Sequence, residues 1–238
     1  MADAEKKANS PERAGYEQAS HRIFLIRHGV TDWNRAFRYQ GTSDVELNDE
    51  GLEQARLLGL RLSSVVPTRV VASPLKRACQ TAEVIMAQNE SRVVIERIDD
   101  IREISFGFWE GLTITEVEEL DAETVKIWRR APFSVAPRGG EPLDEVLVRS
   151  ARVADDLHTA GRSGDVTFVV AHGAILRALL GVLIRAEDMN LLWRMRFDNC
   201  CVSIVDMWGR RPSLLLLNDT QHLRMADERR IADLKFPD

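Results

Sequence analysis

The chain has 238 residues, of which 45% are hydrophobic and 29% are charged, and this suits one large domain with an ample core. Its formal net charge of −5 argues against a general binder of nucleic acid or of an anionic membrane, although it permits a local basic pocket. No run approaches the roughly 18 apolar residues that a membrane span needs.

Two further features of the composition predict a reduced, cytoplasmic protein. The first residues contain no apolar core of the kind that a secretory signal needs. Cys79, Cys200 and Cys201 are too few for a disulfide framework, and no C-x-x-C spacing appears.

The ends of the chain differ in composition from its centre. Residues 1–20 are rich in Ala, Glu, Lys and Ser and have no apolar periodicity, so they predict a disordered or loosely attached tail. Residues 21–220 form the predicted domain, and residues 221–238 a polar C-terminal extension.

The first predicted strand, residues 22–26, ends abruptly in Arg27, His28 and Gly29. A cation, an imidazole and a permissive glycine at the end of a strand favour a site for an anion. The loop that follows carries further side chains or backbone groups able to bind an anion, namely Thr31, Asn34, Gln40 and Gly41.

Two later strands end in the same way. The apolar run 70–72 leads into a helix whose first turn contains Arg77. Residues 167–171 form the most convincing buried strand, which ends in His172 and Gly173 at the start of a helix. A helix N-terminus favours anions, because its first N–H groups lack partners within the helix.

A fourth segment, residues 101–111, contributes an acid. Glu103 lies among Ile101, Ile104 and Phe106. Because desolvation favours the neutral form of a carboxyl group, Glu103 is a candidate general acid. A surface glutamate, alone or paired with Arg102, is the simpler alternative.

The order of the elements predicts an α/β fold, with a single doubly wound, mostly parallel sheet and helices on both faces. A third strand is expected at 93–95 and a helical segment at 112–131. A loop at 132–140 can serve as a lid, and a helix begins near Glu141 and Pro142. Residues 200–205 and 213–217 predict a hairpin, and so an antiparallel edge.

Two arginines and two histidines at one edge of a sheet would bind a dianion such as a phosphoryl group, since Arg binds phosphate in a bidentate manner. A metal site is the weaker alternative, because the arginines would repel a divalent cation. A serine hydrolase is weaker still, because the chain lacks a G-x-S-x-G elbow.

The residues from Leu25 to Asn34 resemble the Arg-His-Gly signature of the histidine phosphatase superfamily, in its phosphoglycerate mutase-like branch. Four more segments are similar to the family's motifs and follow in its order, so that the resemblance covers about residues 22–205. They are residues 47–55, 73–78, 103–111 and 169–173.

The resemblance implies a phosphoglycerate mutase-like fold and a metal-independent phosphoric monoester hydrolase without cofactor. His28 would be the nucleophile that forms a phosphohistidine. Arg27, Arg77 and His172 would hold the phosphoryl oxygens, and Glu103 would protonate the leaving oxygen and then deprotonate the water. The residues implied to contact substrate are Asn34, Thr31, Gln40, Gly41 and Gly173.

Departures from the family pattern favour a phosphatase over a mutase. Residues 106–111 resemble the phosphatase subgroup, and the segment between Glu103 and His172 lacks the longer insertion that covers a mutase site. Glu46 stands where the family often has proline, a change expected to affect loop stiffness. A cofactor-dependent phosphoglycerate mutase is the alternative enzyme, and a non-catalytic binding member of the family is less favoured.

The expected substrate is a small phosphate ester, with sugar phosphates and phosphoglycerates first. A fructose-2,6-bisphosphatase-like activity and dephosphorylation of a cobalamin precursor remain variants of this prediction. No nucleic acid, membrane or metal is expected as a partner, and the protein is expected to be a monomer or a homodimer.

Overall fold

The computed structural model describes residues 20–209 and 211–224. Their centre is a six-stranded sheet in the order β3-β2-β4-β1-β5-β6. The strands are β1 (His21–Arg27), β2 (Arg69–Ala72), β3 (Ile95–Arg97), β4 (Val166–Ala171), β5 (Val202–Trp208) and β6 (Arg211–Asp219). Strands β1 to β4 are parallel, whereas β5 and β6 are antiparallel to their neighbours.

Helices cover both faces of this sheet, which confirms the predicted doubly wound α/β class. The helices are α1 (Asp32–Arg35), α2 (Asp49–Arg61), α3 (Lys76–Met86), α4 (Ile114–Leu120), α5 (Ala122–Arg130), α6 (Leu143–Ala160), α7 (Gly173–Ile184), α8 (Asn190–Trp193) and α9 (Gln221–Arg224). Short 3₁₀ helices span Asp99–Ile101, Gly107–Trp109 and Pro132–Ser134.

Alternation along the strands divides the core into two layers. Ile23 and Leu25 of β1 face α6 and α7, whereas Phe24 and Ile26 face α2 and α3. A central parallel strand must be apolar on both faces, and this explains the uninterrupted apolar run before Arg27. A smaller third cluster forms around the fully buried Trp109.

Several predicted boundaries were wrong. The third strand lies at Ile95–Arg97 rather than at 93–95, and the predicted helix near Glu141 begins at Leu143, after Pro142 as its N-cap. The helix expected over 112–131 is divided at Asp121, whose φ of −143° is not helical. Its carboxylate instead accepts a hydrogen bond from Trp109 Nε1 at 2.8 Å, so a tertiary contact breaks the helix.

Both ends of the chain lie largely outside the description. The predicted tail, except for Ser20, and residues 225–238 of the predicted extension are not among the described residues. Residues 221–224 of the extension form α9, in which His222 is buried against the domain. No described helix combines the length and the apolar composition that a membrane crossing requires.

The hairpin at the sheet edge is confirmed, with longer strands than predicted. It matters for the site because the segment just before β5 is hydrogen-bonded to the end of β1. The amide of Cys200 donates to the carbonyls of Arg27 and His28, both at 3.1 Å.

A close approach between two glycines sets the position of the loop after β1. A Cβ on Gly51 would lie 2.1 Å from the carbonyl oxygen of Val30, and one on Gly29 would lie 2.5 Å from that of Gly51. Helix α2 therefore begins in contact with the backbone that carries His28, and only glycine fits there.

We expect Gly51→Ala to lower the free energy of unfolding by about 1–3 kcal/mol, because the methyl group overpacks this contact. Urea unfolding measures the change. Leu60→Ala, at a half-exposed position of the same helix, is the control and should cost less. A Gly51→Ala variant as stable as the parent would contradict this account of the contact.

Candidate active site

Neighbouring parallel strands bring the predicted residues together. Strands β2, β4 and β1 are adjacent, so their carboxyl ends present Arg77, His172 and His28 at one edge of the sheet. The imidazole centroids of His28 and His172 are 5.1 Å apart. A cavity of about 400 Å³ opens at this edge, and its lining includes Arg27, His28, Arg77, Glu103, Asn34, Gln40, Gly41 and Gly173.

His28 is buried, and its tautomer is fixed by the main chain. Its Nδ1 lies 2.7 Å from the carbonyl oxygen of Gly29. Because a carbonyl only accepts, Nδ1 carries the proton, and the lone pair of the neutral ring is on Nε2. Burial lowers the pKa of His28 well below its usual value, and the charges of Arg77 and Arg27 lower it further.

The second imidazole is held from both sides. Arg77 Nε donates to His172 Nδ1 at 3.1 Å, so His172 carries its proton on Nε2, which donates to Ser73 Oγ at 2.7 Å. The pKa of His172 is also well below the usual value, because the ring is buried and Arg77 lies beside it. Both histidines are therefore neutral near pH 7.

Arg77 is fully buried and has no carboxylate within ion-pair distance among the described residues. Its terminal nitrogens donate to the carbonyls of Ser43 and Gly41, both at 2.7 Å. Burial lowers its pKa to about 10, so the guanidinium stays charged at neutral pH. A buried cation that is met only by neutral groups favours binding of an anion beside it.

Arg27 also keeps donor capacity for a ligand. One of its terminal nitrogens donates to the carbonyl of Phe197, whereas its buried Nε has no hydrogen-bond partner in the described structure. Arg177, one turn into α7, lies near it and lines the same cavity. Burial and the charge of Arg27 lower the pKa of Arg177, whose Nε donates to the carbonyl of Met195.

Glu103 approaches the cavity from the loop after β3. It is 9% exposed, and three backbone amides donate to its carboxylate. These are Ile104 at 3.1 Å, Ala174 at 3.2 Å and Ile175 at 3.1 Å. Two of the donors belong to the first turn of α7, so the start of this helix orients the acid.

Asn34 is oriented for donation into the cavity. Its Oδ1 accepts from the amide and the hydroxyl of Thr31 and from Asn199 Nδ2, at 3.1–3.2 Å. The amide nitrogen is the atom left for a ligand. Thr31 itself is fully buried and caps α1, and it is not among the lining residues; its structural role is to hold Asn34.

Glu110 ties two loops of the cavity together. Its carboxylate accepts from the amides of Thr42 and Ser43 at 3.1 and 3.0 Å and from that of Phe106 at 3.0 Å. These bonds lower the pKa of Glu110 in spite of its partial burial. The loop they fix contains the two carbonyls that hold Arg77.

A buried ion pair secures the segment that carries Glu103. Arg149 is 4% exposed and forms a bidentate pair with Glu141 at 2.8 and 3.0 Å. Its third nitrogen donates to the carbonyls of Asp100 and Arg102 at 2.8 and 2.6 Å. The pair therefore stabilises the turn immediately before the acid.

Sequence reasoning did not identify Arg149, Glu110 or Arg177 as parts of the site. For two of them, the sequence pattern contained an indication. Arg149 interrupts the apolar face of α6, and Arg177 is the only charged residue of the otherwise apolar α7. The loop 132–140, which the sequence offers as a lid, is not among the lining residues; its Phe133 packs against Trp193 of the lining, and its Arg138 carbonyl accepts from the amide of Phe108.

Known proteins resemble the chain over most of its length. The model of the histidine phosphatase superfamily (branch 1) matches residues 23–220. Phosphoserine phosphatase 1 of Hydrogenobacter thermophilus is 34% identical over 202 residues, which are 85% of this chain and 94% of that protein. Phosphoglycerate mutase-like protein 4 of Arabidopsis thaliana is 36% identical over 160 residues, which are 66% and 68% of the two chains.

A solved structure agrees with this match. The mycobacterial glucosyl-3-phosphoglycerate phosphatase is 28% identical and superimposes with a TM-score of 0.77, over 84% of this chain and 99% of the other. The predicted resemblance to this superfamily is confirmed.

The two buried histidines of the site, His28 and His172, contribute to the dependence of stability on pH. In the unfolded chain each gains a proton below about pH 6.5, whereas in the folded chain, where each pKa is lower, both rings stay neutral. The contribution of the two neutral rings to the free energy of unfolding is therefore full above about pH 6.5. It decreases as the pH falls, by up to about 1.4 kcal/mol per pH unit for each histidine.

Urea unfolding between about pH 5 and pH 7 measures this slope. In His172→Asn the free energy of unfolding should change less steeply with pH, because one fewer group gains a proton on unfolding. Equal slopes in the parent and the variant would contradict the assignment of His172 as a buried neutral group.

Proposed function

The chain belongs to the histidine phosphatase superfamily (branch 1), and we propose that it hydrolyses small phosphorylated metabolites, without a metal, through a phosphohistidine at His28. The observation that carries the proposal is the neutral His28 ring, whose free Nε2 lies in a cavity lined by Arg27 and Arg77. An uncharged imidazole beside two guanidinium groups suits attack on a bound phosphoryl group.

In the first step, Nε2 of His28 bonds to phosphorus and the bond from phosphorus to the ester oxygen breaks. Arg27 and Arg77 stabilise the charge on the phosphoryl oxygens, and the amide of Asn34 donates to one of them. For His172 to join them, its Nε2–H exchanges the bond to Ser73 Oγ for one to a phosphoryl oxygen. Glu103 gives its proton to the leaving oxygen.

In the second step, water attacks phosphorus and the bond to Nε2 breaks. Glu103 removes the proton from that water, so the cycle restores its carboxyl group and releases inorganic phosphate. The amide of Gly173, at the start of α7, and the polar atoms of Gln40 and Gly41 complete the proposed binding set. The Oε1 of Gln40 is buried without a hydrogen-bond partner in the described structure, so it can accept from a hydroxyl of the substrate, whereas a phosphoryl oxygen would be bound by the amide nitrogen of the same side chain.

The relatives suggest which esters to test first. One is a phosphoserine phosphatase and another a glucosyl-3-phosphoglycerate phosphatase, so phosphoserine and phosphoglycerates join sugar phosphates among the first esters to assay. The three free, buried cysteines support the proposal of a reducing, cytoplasmic location.

The first test is phosphate release from p-nitrophenyl phosphate, phosphoserine, phosphoglycerates and sugar phosphates in the presence of EDTA. We expect release that EDTA does not reduce. An assay for interconversion of 3- and 2-phosphoglycerate runs in parallel. Interconversion stimulated by 2,3-bisphosphoglycerate would make the protein a mutase and contradict the proposal.

The second test separates the roles of the nucleophile and the acid. His28→Ala should abolish turnover, and rapid acid-free quenching should trap no phosphoprotein. Glu103→Gln should lower kcat by about 10²–10⁴-fold while leaving KM nearly unchanged, because it removes proton transfer but keeps the shape. A His28→Ala protein with the parent's rate would overturn the mechanism.

A further inference from the structure

Phe37 combines two unfavourable features at the mouth of the cavity. Its ring is 70% exposed, and its backbone lies in the left-handed region with φ of 52°. A bulky residue rarely adopts this conformation, and exposing an aromatic ring contributes nothing to stability. Strain of this kind persists at functional sites when the surrounding structure imposes it.

The main chain imposes it here. The Phe37 amide donates to the Asn34 carbonyl at 3.2 Å, and the Phe37 carbonyl accepts from the amide of Ile114 at 3.0 Å. Arg38 and Thr113 form an isolated bridge next to it. The backbone of Phe37 is therefore fixed by hydrogen bonds from both its amide and its carbonyl, and its ring lines the cavity.

The wall of the outer cavity is apolar. Phe37, Tyr39, Phe106, Ile114, Trp128 and Trp193 line it. Several of these rings pack edge to face. The distance between ring centroids is 5.0 Å for Tyr39 and Phe106, 5.9 Å for Phe106 and Trp128, and 5.2 Å for Trp193 and Phe133. Such a wall is preformed for an apolar or flat group.

Three of the four arginines in the lining, Arg27, Arg77 and Arg177, lie at the other end of the cavity. Arg177 lies beside Gly173 and Arg27, next to the phosphoryl site. Arg38 is the cation of the outer lining, and it already donates to the Gly111 carbonyl at 2.6 Å and pairs with Glu116 at 3.4 Å. A carboxylate on the leaving group would therefore meet an occupied cation and an aromatic surface.

We propose that the preferred substrate is a phosphomonoester whose leaving alcohol carries an apolar or aromatic group, and that Phe37 determines this preference by contact with that group. The inference rests on the proposed phosphatase activity and names its substrate class. The cavity of about 400 Å³ is large enough for such a group beyond the phosphoryl end.

The test compares 2-phenylethyl phosphate with ethyl phosphate. Both release a primary alcohol, so the two esters have similar intrinsic reactivity and differ in the ring alone. We expect kcat/KM to favour the phenylethyl ester by about tenfold or more, mainly through KM.

Phe37→Asn should lower that ratio by about fivefold to tenfold. Asn tolerates a positive φ, so the melting temperature should not fall, whereas the loss of a packed structural residue would lower it. Phe108→Asn is the matched control: Phe108 is also an exposed phenylalanine, at 53%, but it does not line the cavity, and its ratio should equal the parent's. Phe37→Gly is a second variant compatible with the backbone.

Three results would overturn the inference: no preference for the phenylethyl ester, an unchanged ratio in both Phe37 variants, or an equal fall in Phe108→Asn. Failure of the proposed function is distinguishable, because it would abolish turnover of both esters. Calorimetric titration with 2-phenylethylphosphonate and ethylphosphonate then tests the pocket without turnover. Equal affinity for the two phosphonates would again reject the assignment.

Discussion

The site depends on a positive charge that the protein holds without an acidic partner. Arg77 is fully buried, and carbonyl oxygens and the His172 ring take its hydrogen bonds. This arrangement keeps the guanidinium fixed without neutralising it. The same field, together with burial, keeps both histidines unprotonated. The neutral state of the proposed nucleophile and the proposed binding of an anion therefore have one electrostatic cause.

The sequence allowed much of this arrangement to be predicted. Apolar runs that ended in Arg27-His28, in Ser73 to Arg77 and in His172-Gly173 indicated three buried strands with polar ends. The right-handed, unknotted connections of α/β folds then brought these ends to one edge. The pattern alone did not indicate which histidine to propose as the nucleophile; that assignment came from the resemblance to the family. The structure adds the tautomer of His28, which depends on the carbonyl of the next residue.

Other features were beyond sequence reasoning, because they depend on contacts between distant segments. The bonds from Glu110 to Thr42 and Ser43 join residues more than 60 positions apart, and Arg149 holds a turn 47 positions before it. The break at Asp121 has the same origin, since Trp109 takes its carboxylate. In each case a buried polar group found its partner elsewhere in the chain, and periodicity contains no information about that partner.

The two ends of the cavity differ in how they are built. The phosphoryl end follows β1, β2 and β4 and is hydrogen-bonded to the segment just before β5, so the register of the sheet sets its geometry. The aromatic wall comes from Phe37 and Tyr39 and from the segments around Phe106, Trp128 and Trp193, which lie outside the sheet. Substitutions in the aromatic wall can therefore change which leaving alcohol the cavity accepts, while the residues at the phosphoryl end stay the same.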